Sequence, residues 1–269
     1  MRTDAAPIGV FDSGVGGLTV LRALRGALPS ADFIYLGDTA RLPYGTKSAA
    51  TVARYSSQCA AALRARGIGC LVVACNTASA SALNELRREY PHMPVVGVIE
   101  PGAAAAVAAS RARHIAVIGT EGTIAGGAYQ QAIHRLDANV RVIARACSLF
   151  VAIAEEGWTE DPIAEAVAHR YLDGMFAGPQ MPDTLVLGCT HFPLLATAIA
   201  AALPPAVRIV DSAATTAAAV AALLGAGPCT RGAGSVRWLA TDGAARFARI
   251  GSRFLGEPLS AADVEIVDL

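Results

Sequence analysis

Short apolar runs rich in β-branched residues recur along the whole chain. They fall at 7–11, 33–36, 70–74, 95–98, 114–118, 140–144, 184–188, 207–210, 235–240 and 263–267. Between them lie helical patterns at about 17–28, 48–66, 77–90, 101–111, 122–136, 161–177, 193–203, 212–224 and 242–254. Strands that alternate with helices pair in parallel, because each helix carries the chain back over the sheet, and such sheets are covered on both faces. The pattern predicts an α/β protein. Helix starts are marked by Asn76 and Thr77, by Asp161-Pro162 and by Ser212.

At 269 residues the chain is long enough for two small domains, and an internal echo favours two. The segment Ile8 to Gly16 resembles Ile115 to Thr123, an offset of 107 residues. A second pair, Leu71 to Thr77 and Leu185 to His191, carries Cys75 and Cys189 at an offset of 114. The expected architecture is two similar domains, each a mostly parallel sheet flanked by helices. Pro94–Pro101 and Pro204–Asp211 read as crossovers. The tail from 207 is expected to return to the first domain, giving 1–97 plus 207–269 and, between them, 98–206.

Hydrophobic residues make up 54% and charged residues 16% of the chain, which requires a large buried core rather than disorder. Formal charge is zero, with 22 basic and 22 acidic residues. The densest basic pair, Arg87-Arg88, continues a helical pattern, so nucleic acid is not an expected partner. The alanine-rich stretches 102–109, 198–203 and 213–224 fall short of the roughly 20 apolar residues of a membrane span. Met1-Arg2-Thr3-Asp4 opens no signal-peptide apolar region. No membrane partner is expected, and the location expected is the cytoplasm, where cysteines stay reduced.

Six cysteines are present and none form a CxxC pair. A free cysteine in an apolar run is most often core, and Cys59, Cys70, Cys147 and Cys229 are read so. Cys75 and Cys189 differ because their context repeats. Each ends a strand and is followed by hydrogen-bonding residues, Asn76-Thr77 and Thr190-His191. The carboxyl ends of parallel strands line the ligand crevice. A helix N-terminus lowers a cysteine pKa, and a nearby histidine can exchange a proton with it. Zinc is disfavoured: Cys75, Cys189 and His191 lack a short-spaced ligand pair and a fourth ligand. A redox pair is disfavoured by the absence of CxxC.

Three further stretches border on chemistry. Phe11 to Thr19 joins a strand to a helix through glycines, a turn that exposes backbone N–H groups to an anion. It departs from GxGxxG. Asp12 and Ser13 stand at its strand end, where a carboxylate can position an amine or tune a neighbour. Tyr35 to Gly45 leads from a strand into a loop carrying Tyr44 and Gly45, either binding groups or a connecting turn. Cys147 to Trp158 is apolar and ends in Glu155 and Glu156, either a buried acid supporting His191 or a solvated helix end.

Taken together, Gly9 to Val20, Gly37-Asp38-Thr39 with Pro43-Tyr44-Gly45, Ala74 to Ala78, Pro94 to Ile99 and Leu187 to Leu194 resemble the glutamate racemases. These are the cofactor-independent amino-acid racemases of bacterial wall synthesis, in the aspartate/glutamate racemase family. The resemblance spans nearly the whole chain. It implies two α/β domains with the active site in the cleft between them, no cofactor and no metal. Glutamate would be the small-molecule substrate, D-glutamate for peptidoglycan the product, and a homodimer the assembly. Cys75 would take the α-proton from D-glutamate and Cys189 from L-glutamate. Asp12 would assist Cys75; Glu155 and His191 would assist Cys189. Asp12, Ser13, Tyr44, Gly45, Asn76, Thr77, Thr190 and His191 would bind the amino acid. Ser148 and Ala152 stand where the family usually has proline, which would loosen the segment carrying Glu155.

The chemistry agrees with that resemblance. Inverting an α-carbon means removing a proton from one face and returning one to the other, which calls for two groups, each acid in one direction and base in the other. A thiol, with an unperturbed pKa of about 8.5, suits both tasks. Racemases that delocalise the carbanion into pyridoxal phosphate need a Schiff-base lysine. The only lysine is Lys47, most simply a solvated residue at a helix start. Two rival readings are a racemase of another acidic amino acid, such as aspartate, and a non-catalytic two-domain binder of a small acid.

Overall fold

The computed structural model describes residues 6–225 and 233–269. All ten expected strands are present within two residues of their expected limits. They are β1 Ile8–Asp12, β2 Phe33–Gly37, β3 Cys70–Val73, β4 Val95–Gly97, β5 His114–Gly119, β6 Arg141–Ala146, β7 Thr184–Gly188, β8 Arg208–Asp211, β9 Val236–Ala240 and β10 Val264–Ile266. The helices are α1 Leu18–Ala27, α2 Ala49–Arg64, α3 Asn76–Glu89, α4 Ile99–Ala109, α5 Glu121–Ala125, α6 Ala128–Leu136, α7 Leu149–Glu156, α8 Pro162–Leu172, α9 Ala196–Ala201, α10 Ser212–Leu223 and α11 Ala244–Leu255.

The strands form two sheets, and every pairing in both is parallel. One has six strands in the order β10-β9-β2-β1-β3-β4; the other has four, β6-β5-β7-β8. The echo in the sequence is an echo in register. Phe11 of β1 lies beside Val73 of β3, and Ile118 of β5 beside Leu187 of β7, so the cysteine strand is the neighbour of the echoed strand in both domains.

Side chains alternate between the faces of the six-stranded sheet. Val10, Tyr35 and Val72 pack with Leu18, Leu21 and Leu24 of α1. Phe11, Leu36, Leu71 and Val73 pack with α2 and α3 through Val52, Cys59, Leu63, Leu83 and Leu86. The first of these cores continues into the second sheet through Ile115 to Ile118 and Leu185 to Leu187. Cys59, Cys70 and Cys147 are buried, as expected of core cysteines; Cys229 lies outside the described residues.

Several elements differ from expectation. β8 pairs with β7, so it belongs to the four-stranded sheet, and the chain rejoins the six-stranded sheet only at β9 rather than at 207. The crossover between the sheets is instead made after β8, where α10 packs on both α1 and α4. The pattern at 122–136 is two helices, because Gly127 adopts a left-handed backbone (φ +61°) between them. The pattern at 193–203 begins as a 3-10 turn, Phe192–Leu195, before α9. The segment 149–156, apolar in sequence, is a helix closed by Gly157 (φ +81°). Among the described residues no helix is long and apolar enough to cross a membrane.

Candidate active site

The carboxyl ends of β1, β2, β3, β5 and β7 converge on one cavity between the sheets. Its lining includes Ser13, Tyr44, Gly45, Cys75, Asn76, Thr77, Glu155, Cys189, Thr190 and His191. All the expected site residues are there except Asp12, which stands behind the wall.

The first wall belongs to the six-stranded domain. Because β1 neighbours β3, Asp12 is brought beside Ala74 and Cys75. Asp12 is fully buried. Its Oδ2 accepts the Gly14 N–H at 2.9 Å, and its Oδ1 has no partner. Burial raises its pKa, against His191 and the N–H groups around the turn, which lower it. Cys75 caps α3 with its Sγ 3.8 Å from Ser13 Oγ. Its thiol is pushed up to about 12, first by burial and then by the Asp12 charge, and the N–H of Ala78 offsets this only in part. The lowering expected of a helix N-terminus is thus outweighed by desolvation.

Asn76 Oδ1 accepts from the Tyr129 hydroxyl of α6 at 2.8 Å, across the domain boundary. The Nδ2 of the same side chain is buried without a partner. Thr77 Oγ1 lies 2.8 Å from Thr120 Oγ1 and 3.3 Å from Thr123 Oγ1, again across the boundary. Tyr44 lines the cavity, but its hydroxyl donates to the buried Asp38, which also accepts from Arg41 Nε and the Thr241 hydroxyl. The Tyr44 hydroxyl is therefore already engaged by Asp38.

The second wall belongs to the four-stranded domain. Cys189 follows β7, and its Sγ lies 3.8 Å from His191 Nδ1. His191 Nε2 lies 3.2 Å from Glu155 Oε1 on α7, and Glu155 Oε2 accepts from Arg246 at 2.7 Å. Burial alone would lower the imidazole pKa, yet the hydrogen bonds to Cys189 and Glu155 and the nearby charges raise it to about 10. Burial likewise opposes the charge on Glu155, but His191 and Arg246 hold its carboxyl below the usual range. These contacts favour the imidazolium and the carboxylate forms together. A cation beside a thiol is the setting that stabilises a thiolate.

Of the two acids, Glu155 reaches His191 and Glu156 is exposed. Ser148 and Ala152 leave α7 an intact helix. Sequence reasoning missed Leu42, Pro43, Thr120 and Val151, which also line the cavity. Thr120 was within reach, since it is the echo of Ser13. Among the described residues no group of three or more His, Cys, Asp or Glu side chains is placed to hold a metal ion. Lys47 follows the turn Tyr44–Thr46 and does not line the cavity.

A sequence model of the Asp/Glu/Hydantoin racemase family matches residues 18–220. The glutamate racemase of Geobacter metallireducens is 52% identical over 255 residues, covering 94% of this chain and 93% of its own. Among solved structures, a glutamate racemase of Bacillus anthracis superposes with a TM-score of 0.92 at 36% identity, covering 99% of this chain and 98% of its own. A glutamate racemase of Francisella tularensis in complex with D-glutamate gives 0.90 at 36% identity, covering 98% of each chain.

Proposed function

Since this chain belongs to the Asp/Glu/Hydantoin racemase family, and within it to the glutamate racemases, it is an amino-acid racemase, and we propose that it inverts glutamate by passing protons through Cys75 and Cys189 without a cofactor. One observation carries the reading. Two thiols, each at the end of an equivalent strand, stand on opposite walls of one cavity with separate proton partners. They are near enough for charge on Cys189 to raise the pKa of Cys75.

The resting roles in this reading follow from the two environments. Cys75, buried beside a carboxylate, rests as the thiol and is the proton donor. Cys189, facing the His191 cation, is the base. Cys189 takes the α-proton of L-glutamate, and Cys75 delivers its own proton to the opposite face. Each cysteine has then exchanged its state for the other's, and D-glutamate leaves. Running from D-glutamate, the Cys75 thiolate is the base, strengthened by Asp12, and His191 supports the Cys189 thiol that donates. The unpartnered Nδ2 of Asn76 and the backbone N–H groups at the start of α3 are donors for the substrate carboxylate, on which the carbanion's charge develops. Ser13, Thr77 and Thr190 add hydroxyls, while Gly45 and Tyr44 shape the wall.

Glutamate as substrate is supported by the relatives and by the D-glutamate bound to the Francisella tularensis enzyme. Supply of D-glutamate for peptidoglycan, in the cytoplasm and as a homodimer, is the setting that the family resemblance implies. The test is proton NMR of L-glutamate and, separately, D-glutamate in D2O, with wild type, Cys75→Ala and Cys189→Ala. Wild type should lose the α-proton signal with inversion, and both variants should lose inversion. Exchange of aspartate but not glutamate would replace the substrate. Inversion that survives either substitution would displace the acid/base pair.

A further inference from the structure

Three side chains of α11 close over the proton partners of Cys189. Cys189, His191 and Glu155 belong to the four-stranded domain, whereas α11 follows β9 of the six-stranded sheet. Arg246 donates to Glu155 Oε2 at 2.7 Å, and Arg253 donates to the Glu155 backbone carbonyl at 3.0 Å. The ring of Phe254 meets His191 edge-on, with centroids 5.0 Å apart. The positions i, i+7 and i+8 share one helix face. Gly157, left-handed at φ +81°, leaves room for the Arg253 guanidinium, which a side chain there would strike at 2.7 Å.

Glu155 needs such a holder. It sits in the last turn of α7, where the helix end is negative and repels a carboxylate. Its two oxygens are divided between the domains, Oε1 toward His191 and Oε2 toward Arg246. As a source of stability, an ion pair with a half-exposed arginine counts for little. As a holder it counts for more, because the same carboxylate orients the imidazole that faces Cys189.

We propose that Arg246 is a positioning residue for racemisation: it holds Glu155 against His191, so the Cys189 side of the site is complete only while α11 lies against α7. This rests on the reading of Cys189, His191 and Glu155 as one proton relay. It makes closure of the two domains a condition for proton transfer on the L-glutamate face, since moving α11 away removes Arg246, Arg253 and Phe254 together.

The experiment compares Arg246→Ala, Arg246→Lys, Glu155→Gln and the exposed same-helix control Arg249→Ala, by kcat and KM from both enantiomers across pH and by thermal midpoint. The charged groups that bear on the profile are Cys189, Asp12 and Glu155 around His191, and His191, Arg246 and Arg253 around Glu155. Arg246→Ala should lower kcat about 10-fold, the scale seen when an outer partner that orients a site's ligand is removed, with little change in KM. Its acid limb should move to higher pH, because Arg246 helps hold the Glu155 carboxyl down. Arg246→Lys should recover most of both, and Arg249→Ala should behave as wild type. A slow Glu155→Gln beside an Arg246→Ala with wild-type kcat and profile would overturn the proposal and leave the relay standing. A fall in thermal midpoint and kcat that lysine does not repair would make Arg246 merely structural and overturn it too. A wild-type Glu155→Gln would overturn the relay itself.

Discussion

The substitution Gly16→Ala tests how the second wall is seated against the first domain. A Cβ on Gly16 would lie 2.3 Å from Thr190 Oγ1 and 2.5 Å from both Cε1 and Nδ1 of His191. Carbon contacts settle at about 3.5 Å, so the neighbours must give by about 1 Å. They have little room, because Thr190 and His191 are 4% and 6% exposed and Phe254 backs the ring. Gly16 is not among the glycines with positive φ, so alanine takes up its backbone without strain and the cost is purely steric. Overpacking of this kind costs about 1–3 kcal/mol. Replacing glycine returns about 0.4–1 kcal/mol by stiffening the unfolded chain. Crowding wins by about 1–2 kcal/mol, a thermal midpoint lower by about 5 °C for a protein of this size. Turnover suffers more, since displacing a catalytic group by about 1 Å can cost about 100-fold. Circular dichroism follows both the melt and the optical inversion of glutamate. A variant with wild-type kcat and wild-type melting would refute the reasoning, because Thr190 and His191 could not then be pressed against Gly16.

Two further outcomes follow from the same geometry. With its pKa pushed up to about 12, Cys75 has a thiolate fraction of about one in ten thousand at pH 8. Its alkylation by iodoacetamide, followed by peptide mass spectrometry, should rise about tenfold per pH unit from 8 to 10, and a plateau below pH 10 would contradict the burial argument. Tyr129→Phe deletes the hydroxyl that serves Asn76 Oδ1 across the domain boundary, leaving a buried acceptor unpaired at a cost of about 1–3 kcal/mol. Denaturant unfolding should register that loss, with a raised KM for glutamate; unchanged stability would mean that another donor satisfies Asn76.

The strands were legible because buried parallel strands are unbroken apolar runs, and their ends carry Cys75 and Cys189 to the cavity. What local sequence does not carry is pairing between distant elements. β8 reads as a strand, but nothing within 207–210 says that its neighbour is β7. An apolar octet such as 149–156 fits strand or helix until it is packed. The engagement of the Tyr44 hydroxyl by Asp38, and the approach of Arg246 and Arg253 to Glu155, are tertiary facts. Arginines on an amphipathic helix look like any solvated face. The protonation of Cys75 went the same way, since the helix start beside it is visible in sequence and the burial that overrides it is not.

The duplicated unit also explains why its two halves cannot use the same proton partner. Ser13 and Thr120 are equivalent, and so are Cys75 and Cys189, but the position of Asp12 is taken in the second domain by Gly119. A Cβ on Gly119 would sit 3.0 Å from the Gly188 carbonyl, so an aspartate there would be crowded against a backbone oxygen. The second thiol takes its partner from further along the chain instead, from His191 backed by Glu155. One cysteine is thereby faced by a carboxyl group and the other by an imidazole. Two identical environments would leave the single mobile proton undecided between two thiols. Under the proposed mechanism unequal ones would fix where it rests, with both sulfurs lining one cavity at equivalent strand ends. On that proposal the asymmetry would set the resting state, and the symmetry would let the reaction run in either direction.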